Sequence, residues 1–403
     1  MVRLTASWLS SPSLQHLFTL FEHEGATLRL VGGAVRDGLL GLPVEDIDLA
    51  IDRDPHWVLN FLTSQHIQAI PTGIDHGTIT AVIDKRPYQI TTLRIDVKTF
   101  GRKAEVAFTE DWVQDAKRRD FTMNAIYANK TGELFDPVNG LDDLKNRKIR
   151  FVGDPNQRIQ EDYLRMLRFF RFSARFGEKP YDEEGLKACT LYASHVSELA
   201  RERVTDEFLK ILALPNPLYT LEEMEKTGVL FYILHPSSPE TFKALIDLEQ
   251  STGWIPSALV RFAALRPDLA EVKKQLRLSL NQQKILSSLL KIHPLVTETS
   301  FKQQAYLLQK GPAFQISFLQ TAMRIASSEI SLTEGTSFFC ALYKTFSSQE
   351  IPPLPLTGQD ILERNIPEGK QVGSLLKQVE AWWLSRDLEP DRSACLRYLS
   401  TLL

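Results

Sequence analysis

The sequence predicts an α+β chain, with strands and helices mixed over roughly the first 150 residues and helices alone beyond. Three observations carry that reading. Between Asp46 and Asp52 polar and apolar residues alternate almost strictly, the period of a half-buried strand, and two further β-rich runs, Thr78 to Ile83 and Tyr88 to Arg94, follow it. From about Ile159 onward, Leu, Ile and Phe recur at three- and four-residue steps, the period of a helix. With 403 residues the chain is also too long for one compact domain, so several cores are expected.

Taken in order, Leu14, Leu17, Phe18 and Phe21 mark one face of an N-terminal helix, with Ser11 as its capping residue and Pro12 at its first position. The run Thr27 to Val31 is a strand that ends in Gly32-Gly33, and Ala34 to Leu40 is a short helix. The strand Asp46 to Asp52 comes next. Asp84-Lys-Arg-Pro87 joins the two β-rich runs as a hairpin turn. In the helical part, breaks are expected at Pro215-Asn-Pro217, His235 to Pro239, Arg266-Pro267 and Ile351 to Pro355.

Composition excludes several classes. Charged residues at 24% and hydrophobic residues at 43% fit a globular chain, not a disordered or collagenous one. Three distant cysteines, Cys189, Cys340 and Cys395, rule out a disulfide scaffold or a cysteine zinc site and point to a reducing compartment. No apolar run reaches the length of a membrane span, and the opening Met-Val-Arg-Leu lacks the apolar segment of a secretory signal, so a cytoplasmic protein is expected. The net charge of −3 conceals a local surplus. From Arg94 to Arg175 there are 17 lysines and arginines against 13 acids, and these arginines fall within the motifs that carry the chemistry.

Side chains of a strand alternate faces, so Asp46 and Asp48 point to one side while Ile47, Leu49 and Ile51 point to the other. Two converging carboxylates are unfavourable unless a divalent cation bridges them, and Mg²⁺ commonly takes one or two protein carboxylates with substrate phosphates and water. Gly32-Gly33 lets backbone N–H groups approach a phosphate, and a helix beginning there turns its positive end towards the same anion. Together with Arg36, these elements describe a nucleoside triphosphate and its metal held between neighbouring strands. That arrangement suits nucleotidyl transfer. Eight scattered histidines, with no His-x-x-x-His pair and no His-Asp doublet, give no support to a hydrolase.

At Leu30-Val-Gly-Gly-Ala-Val-Arg-Asp-Gly-Leu-Leu-Gly-Leu-Pro-Val-Glu-Asp-Ile-Asp-Leu-Ala50 the sequence resembles the signature of class II tRNA nucleotidyltransferases and bacterial poly(A) polymerases. The resemblance returns at Arg118-Arg-Asp-Phe-Thr-Met-Asn124, Phe135-Asp-Pro, Val152-Gly-Asp-Pro, Arg158-Ile-Gln-Glu-Asp-Tyr-Leu-Arg165 and Glu202-Arg-Val, and spans about residues 28 to 235. It implies a nucleotidyltransferase head with a small mixed sheet over residues 1–150, a nucleotide-selecting helical neck over 151–213, and a helical body and tail that bind tRNA over 214–403. The implied activity is addition of C, C and A to the tRNA 3′ end from CTP and ATP, with Mg²⁺ on Asp46 and Asp48. The resemblance also covers poly(A) polymerases and enzymes that add only CC or only A. Poly(A) polymerases usually carry a strongly basic C-terminal extension, and the last stretch here does not read as one, because from Asp360 onward seven acids outnumber six basic residues.

The remaining candidates lie in the later motifs. Asp162 and Arg165, three apart among helix formers, are expected on one helical face, where a carboxylate accepts from an exocyclic amino group and a guanidinium donates to ring acceptors. The resemblance makes them the amino-acid template that reads cytosine and adenine. Arg165, Arg168, Arg171 and Arg175 form a ridge that suits phosphates, whereas Phe169, Phe170, Phe172 and Phe176 are expected in the core. Paired Arg118 and Arg119 suit bidentate contacts to a triphosphate. By resemblance, Arg119, Asp120 and Asn124 act at the nucleotide, Lys98 to Val106 is a mobile loop, and Glu202, Arg203 and Glu207 brace the template. One departure stands out: Gln89 occupies a place where the family often has an acid near the catalytic aspartates, which leaves open a non-catalytic RNA-binding protein.

Overall fold

The computed structural model describes residues 2–100, 103–234, 239–252, 258–265, 268–290, 302, 303, 306 and 350–403. They form two compact units, Met1–Leu234 with Gln275–Arg277, and His235–Lys274 with Leu278–Leu403.

The first unit is built on β1 (Leu28–Val31), β2 (Asp48–Ile51), β3 (Gln68–Gly73), β4 (Thr78–Ile83), β5 (Arg86–Thr92), β8 (Tyr127–Ala128) and β9 (Leu134–Phe135), in the spatial order β3-β4-β5-β2-β1-β8-β9. A separate hairpin pairs β6 (Arg94–Phe100) with β7 (Lys103–Phe108). β2 and β5 run parallel, with Asp48 opposite Gln89, and the other pairs are antiparallel. Parallel neighbours need a crossover. Here it is α3 (Pro55–Ser64), capped by the Asp54 carboxylate, followed by β3 and β4.

Expected elements appear with small shifts that have physical causes. The N-terminal helix α1 (Pro12–His23) buries Leu14, Leu17, Phe18 and Phe21, but Ser11 caps it without a side-chain hydrogen bond. Instead the adjacent Ser13 hydroxyl lies 2.7 Å from the Tyr88 hydroxyl and fastens α1 to β5. The β4–β5 turn is only Asp84-Lys85, both with positive φ, the form whose twist suits a two-residue hairpin, so Arg86 and Pro87 belong to β5. β2 starts at Asp48 and not at Asp46. Its neighbour β1 ends at Val31, and in that register Gly32 would face Ile47; with φ +71 it leaves the sheet instead.

Helices α4 (Trp112–Lys117), α5 (Gly140–Lys145), α6 (Pro155–Glu161), α7 (Leu164–Phe176), α8 (Glu183–Tyr192), α9 (Arg201–Leu212) and α10 (Leu218–Lys226) complete this unit. The expected core role of the α7 aromatics is met: Phe169 and Phe170 are fully buried, Phe169 stacks on Phe151 at 5.5 Å, and Phe172 meets Phe121 edge-on at 5.2 Å. Pro215-Asn-Pro217 separates α9 from α10 as expected.

The second unit is helical among the described residues: α11 (Pro239–Thr252), α12 (Ala258–Ala264), most of α13 (Leu269–Gln275), α14 (Leu280–Leu290), α15 (Gly358–Leu362), α16 (Lys370–Ser385) and α17 (Arg392–Leu402). Leu356, Ile361, Leu375, Val379, Trp383, Leu388, Cys395 and Leu399 form one of its cores. Arg261 and Glu249 make a buried two-point ion pair at 3.0 and 2.5 Å. Burial raises the Glu249 carboxyl above its ordinary range against the pull of Arg261. Ile351 to Pro355 precedes α15 as expected; residues 235–238, 266 and 267 of the other two breaks, and Cys340, lie outside the described residues. Among the described residues no helix is long and apolar enough to cross a membrane.

Candidate active site

The turn from β1 into α2 (Gly33–Leu39) begins at Gly32, with φ +71 and ψ −130, a conformation that strains any residue with a Cβ. A Cβ there would lie 4.0 Å from Nη1 of Arg119, and one on Gly33 would lie 3.7 Å from Nη2 of Arg36. Two guanidinium groups therefore flank the Gly-Gly turn. Arg36 is buried more deeply than a simple phosphate contact requires. Its Nε donates to Asp37 at 2.7 Å, its Nη1 donates to the side-chain Oδ1 of Asn124 at 2.7 Å, and it lies over the rings of Phe172 and Phe176.

On the neighbouring strand Asp48 is half-buried, and Asp46 precedes the strand in an exposed segment. Burial raises the Asp48 carboxyl above its ordinary range; Arg119 opposes the shift and the like charge of Asp46 adds to it. Among the described residues neither carboxylate has a hydrogen bond or an ion pair. Two unpartnered, mutually repelling carboxylates form a donor set that fits a hard divalent cation, which completes its shell with water and phosphate oxygens. No group of three or more metal-ligating side chains occurs among the described residues. Gln89 stands beside Asp48 in the parallel register, where sequence reasoning put it, and brings no charge.

Arg119 closes the site from the other side, held by two residues that sequence reasoning missed. Its Nη2 donates to Asp115 at 2.9 Å, and its Nε reaches Asp115 at 3.3 Å and the Tyr127 hydroxyl at 3.2 Å. The adjacent Asp120 accepts from Asn124 at 3.1 Å and takes both Nε and Nη2 of Arg168, at 2.8 and 2.5 Å. Burial alone would raise the Asp120 carboxyl, but Arg168 holds it below its ordinary range. A continuous chain thus runs Arg36–Asn124–Asp120–Arg168.

Asp162 and Arg165 do not share a helix face. Asp162 has φ −156 and ψ 104, so it lies in an extended break between α6 and α7. The break satisfies the start of α7: the Asp162 carboxylate accepts from the Leu164 N–H at 3.1 Å, and its carbonyl accepts from the Arg165 N–H at 2.9 Å. Arg203 donates to both carboxylate oxygens, at 3.1 and 2.6 Å. The Arg165 guanidinium donates to the carbonyls of Arg158 at 2.9 Å and Arg118 at 3.1 Å, and to Glu161. Of the three expected braces, Arg203 holds Asp162 and Glu207 holds Arg171 at 2.6 Å; Glu202 is exposed and lies 3.8 Å from Arg277.

The remaining arginines of α7 are paired as well. Arg165 bonds Glu161, Arg168 bonds Asp120, Arg171 bonds Glu207, and Arg175 lies 3.9 Å from Asp37. The expected phosphate ridge is therefore a ladder of ion pairs. The expected loop Lys98 to Val106 corresponds to the β6–β7 hairpin, with Gly101 and Arg102 outside the described residues.

Comparison with known proteins places this arrangement. Residues 28–150 match the family described as "Poly A polymerase head domain", and residues 182–247 match "Probable RNA and SrmB- binding site of polymerase A". The chain is 34% identical to CCA tRNA nucleotidyltransferase 1, mitochondrial, from Homo sapiens, over 97% of this chain and 92% of that protein. Among the solved structures that share its fold are two complexes. The Bacillus stearothermophilus CCA-adding enzyme in complex with CTP has a TM-score of 0.59 at 23% identity, covering 97% of this chain and 98% of the other. The Thermotoga maritima CCA-adding enzyme complexed with tRNA_CCA has a TM-score of 0.64 at 19% identity over the full length of both. The chain belongs to the CCA tRNA nucleotidyltransferase family.

Proposed function

We propose that the chain adds C, C and A to the 3′ end of tRNA without a nucleic-acid template, using CTP and ATP and releasing pyrophosphate. The observation that carries this reading is the meeting, in one compact unit, of two unpartnered carboxylates with the Gly32-Gly33 turn and Nη1 of Arg119.

Asp46 and Asp48 would hold the divalent cation, which we assign as Mg²⁺. When bound, it supplies the Lewis acidity that lowers the pKa of the attacking 3′ hydroxyl and neutralises charge on the departing pyrophosphate. The rest falls to the side chains. Backbone N–H groups at Gly32 and Gly33, with Arg119, bind the triphosphate. Asn124 is locked between Arg36 and Asp120, so its amide presents a fixed polar edge to the sugar, and Arg168 keeps Asp120 ionised in that place. Asp162 accepts from the base's amino group, and Arg165 donates to the adjacent acceptor. Arg203 does not exhaust Asp162, because each carboxylate oxygen can accept more than one hydrogen bond. UTP and GTP present a carbonyl to that carboxylate, with no proton between them.

Residues 1–150 serve as the catalytic head, 151–213 as the selecting neck, and 214–403 as the tRNA-binding body and tail. The compartment is the cytoplasm; the free buried thiols of Cys189 and Cys395 suit its reducing conditions. The test is incubation of tRNA transcripts ending before CCA, after C and after CC with labelled CTP or ATP. The first two should accept C alone and the third A alone. Incorporation of A on all three would overturn the reading.

A further inference from the structure

We propose that Asp115, assisted by Tyr127, is a positioning residue that fixes two arginines at opposite ends of the bound nucleotide, Arg119 on the triphosphate side and Arg165 on the base side. This rests on the functional reading above. Asp115, Arg118 and Arg119 stand at i, i+3 and i+4 along the last turn of α4 and the residues that follow it, so one carboxylate meets both guanidinium groups. Asp115 is 1% exposed and wholly committed. Its Oδ1 accepts from Nε of Arg118 at 2.8 Å and from the Arg94 N–H at 3.3 Å. Its Oδ2 accepts from Nη2 and Nε of Arg119 and, at 2.7 Å, from the Tyr127 hydroxyl.

The consequences differ for the two arginines. With Nε and Nη2 of Arg119 held by Asp115 and Tyr127, Nη1 is the arm left on the Gly32 side. Arg118 is held by the same carboxylate, and its carbonyl accepts from Nη2 of Arg165 at 3.1 Å. Arg165 thus takes its bearing from a backbone segment that Asp115 pins. Burial would by itself raise the Asp115 carboxyl, yet Arg119 and Arg118 hold it well below the usual carboxylate range, so the anchor stays charged. Tyr127 bonds Arg119 and the Oδ2 of Asp115 that holds Arg119, but neither Arg118 nor the Oδ1 that holds it, which separates the two effects.

The experiment uses the full chain carrying Tyr127→Phe or Asp115→Asn. Equilibrium dialysis of labelled CTP without tRNA is combined with kcat/KM for CTP, UTP, ATP and GTP on a tRNA lacking CCA, and a thermal melt gives the folded fraction. Tyr127→Phe should weaken CTP binding about fivefold with the CTP-over-UTP ratio unchanged, because the phenol's bonds to Asp115 and Arg119 are lost while the direct Asp115–Arg119 pair remains. Asp115→Asn should weaken binding by roughly tenfold or more and lower that ratio by roughly tenfold, because charge-assisted bonds to both arginines are lost. A folded Asp115→Asn protein whose four nucleotides fall together, with ratios unchanged, would overturn the proposal. If Asp115→Asn does not fold, unchanged CTP affinity in Tyr127→Phe would overturn it. A wild type that binds CTP yet adds none to tRNA would instead defeat the functional reading.

Discussion

Arg203→Lys tests how base selection is built. Arg203 grips Asp162 with two donors, at 3.1 and 2.6 Å, and each side chain is 21% exposed. Lysine keeps the charge but offers a single nitrogen, so one arm of the fork is lost and the carboxylate gains freedom to rotate. A hydrogen bond to a charged group is worth about 1.5–3 kcal/mol when buried, and an exposed pair about 0–1 kcal/mol. At this exposure the lost arm should cost about 1 kcal/mol, or roughly fivefold in selectivity. Asp162→Ala sets the limit, since removing the carboxylate costs about 1–3 kcal/mol of discrimination, up to roughly a hundredfold. The assay is kcat/KM for all four nucleotides on a tRNA lacking its CCA end. The CTP-over-UTP and ATP-over-GTP ratios should fall in the order wild type, Arg203→Lys, Asp162→Ala, with incorporation of CTP and ATP retained. Unchanged ratios in Arg203→Lys would refute the orienting role, and unchanged ratios in Asp162→Ala would refute the template itself.

Asp46→Ala and Asp48→Ala should each abolish incorporation while circular dichroism and tRNA binding stay at wild-type levels; wild-type incorporation in either would remove the metal assignment. Gln89→Glu adds a negative charge beside Asp48 and should lower the Mg²⁺ concentration that gives half-maximal rate, whereas an inert wild type rescued by this change would mark a non-catalytic protein. Stability should depend on acid through Asp115 and Asp120, both held below the ordinary carboxylate value in the fold. Their contribution is present above the unfolded value of about 3.9 and lost as pH falls below it, and Asp115→Asn should flatten that loss in urea midpoints taken across this range.

Much of the head was legible in the sequence because its signals are local. The Gly32-Gly33 turn, the run Thr78–Ile83 and the apolar face of α1 follow from backbone freedom and periodicity within a few residues. The misplacements have tertiary causes. Nothing in the alternation Asp46 to Asp52 shows that the neighbouring strand stops at Val31, and so β2 begins at Asp48. Helix-forming composition around Asp162 hides the break between α6 and α7, which Arg203, 41 residues away, helps to hold. Asp115 did carry a readable sign, its i, i+3, i+4 spacing to Arg118 and Arg119. Tyr127 carried none, because its hydroxyl reaches Asp115 only once β8 has joined the sheet.

The most direct measurement of the central claim is a long incubation of tRNA lacking its CCA end with all four nucleoside triphosphates and Mg²⁺, followed by sequencing of the 3′ ends. Selection by Asp162 and Arg165 within one site predicts products that end in CCA and stop there. A tail of A residues, products halted at CC, or ends containing U or G would contradict it.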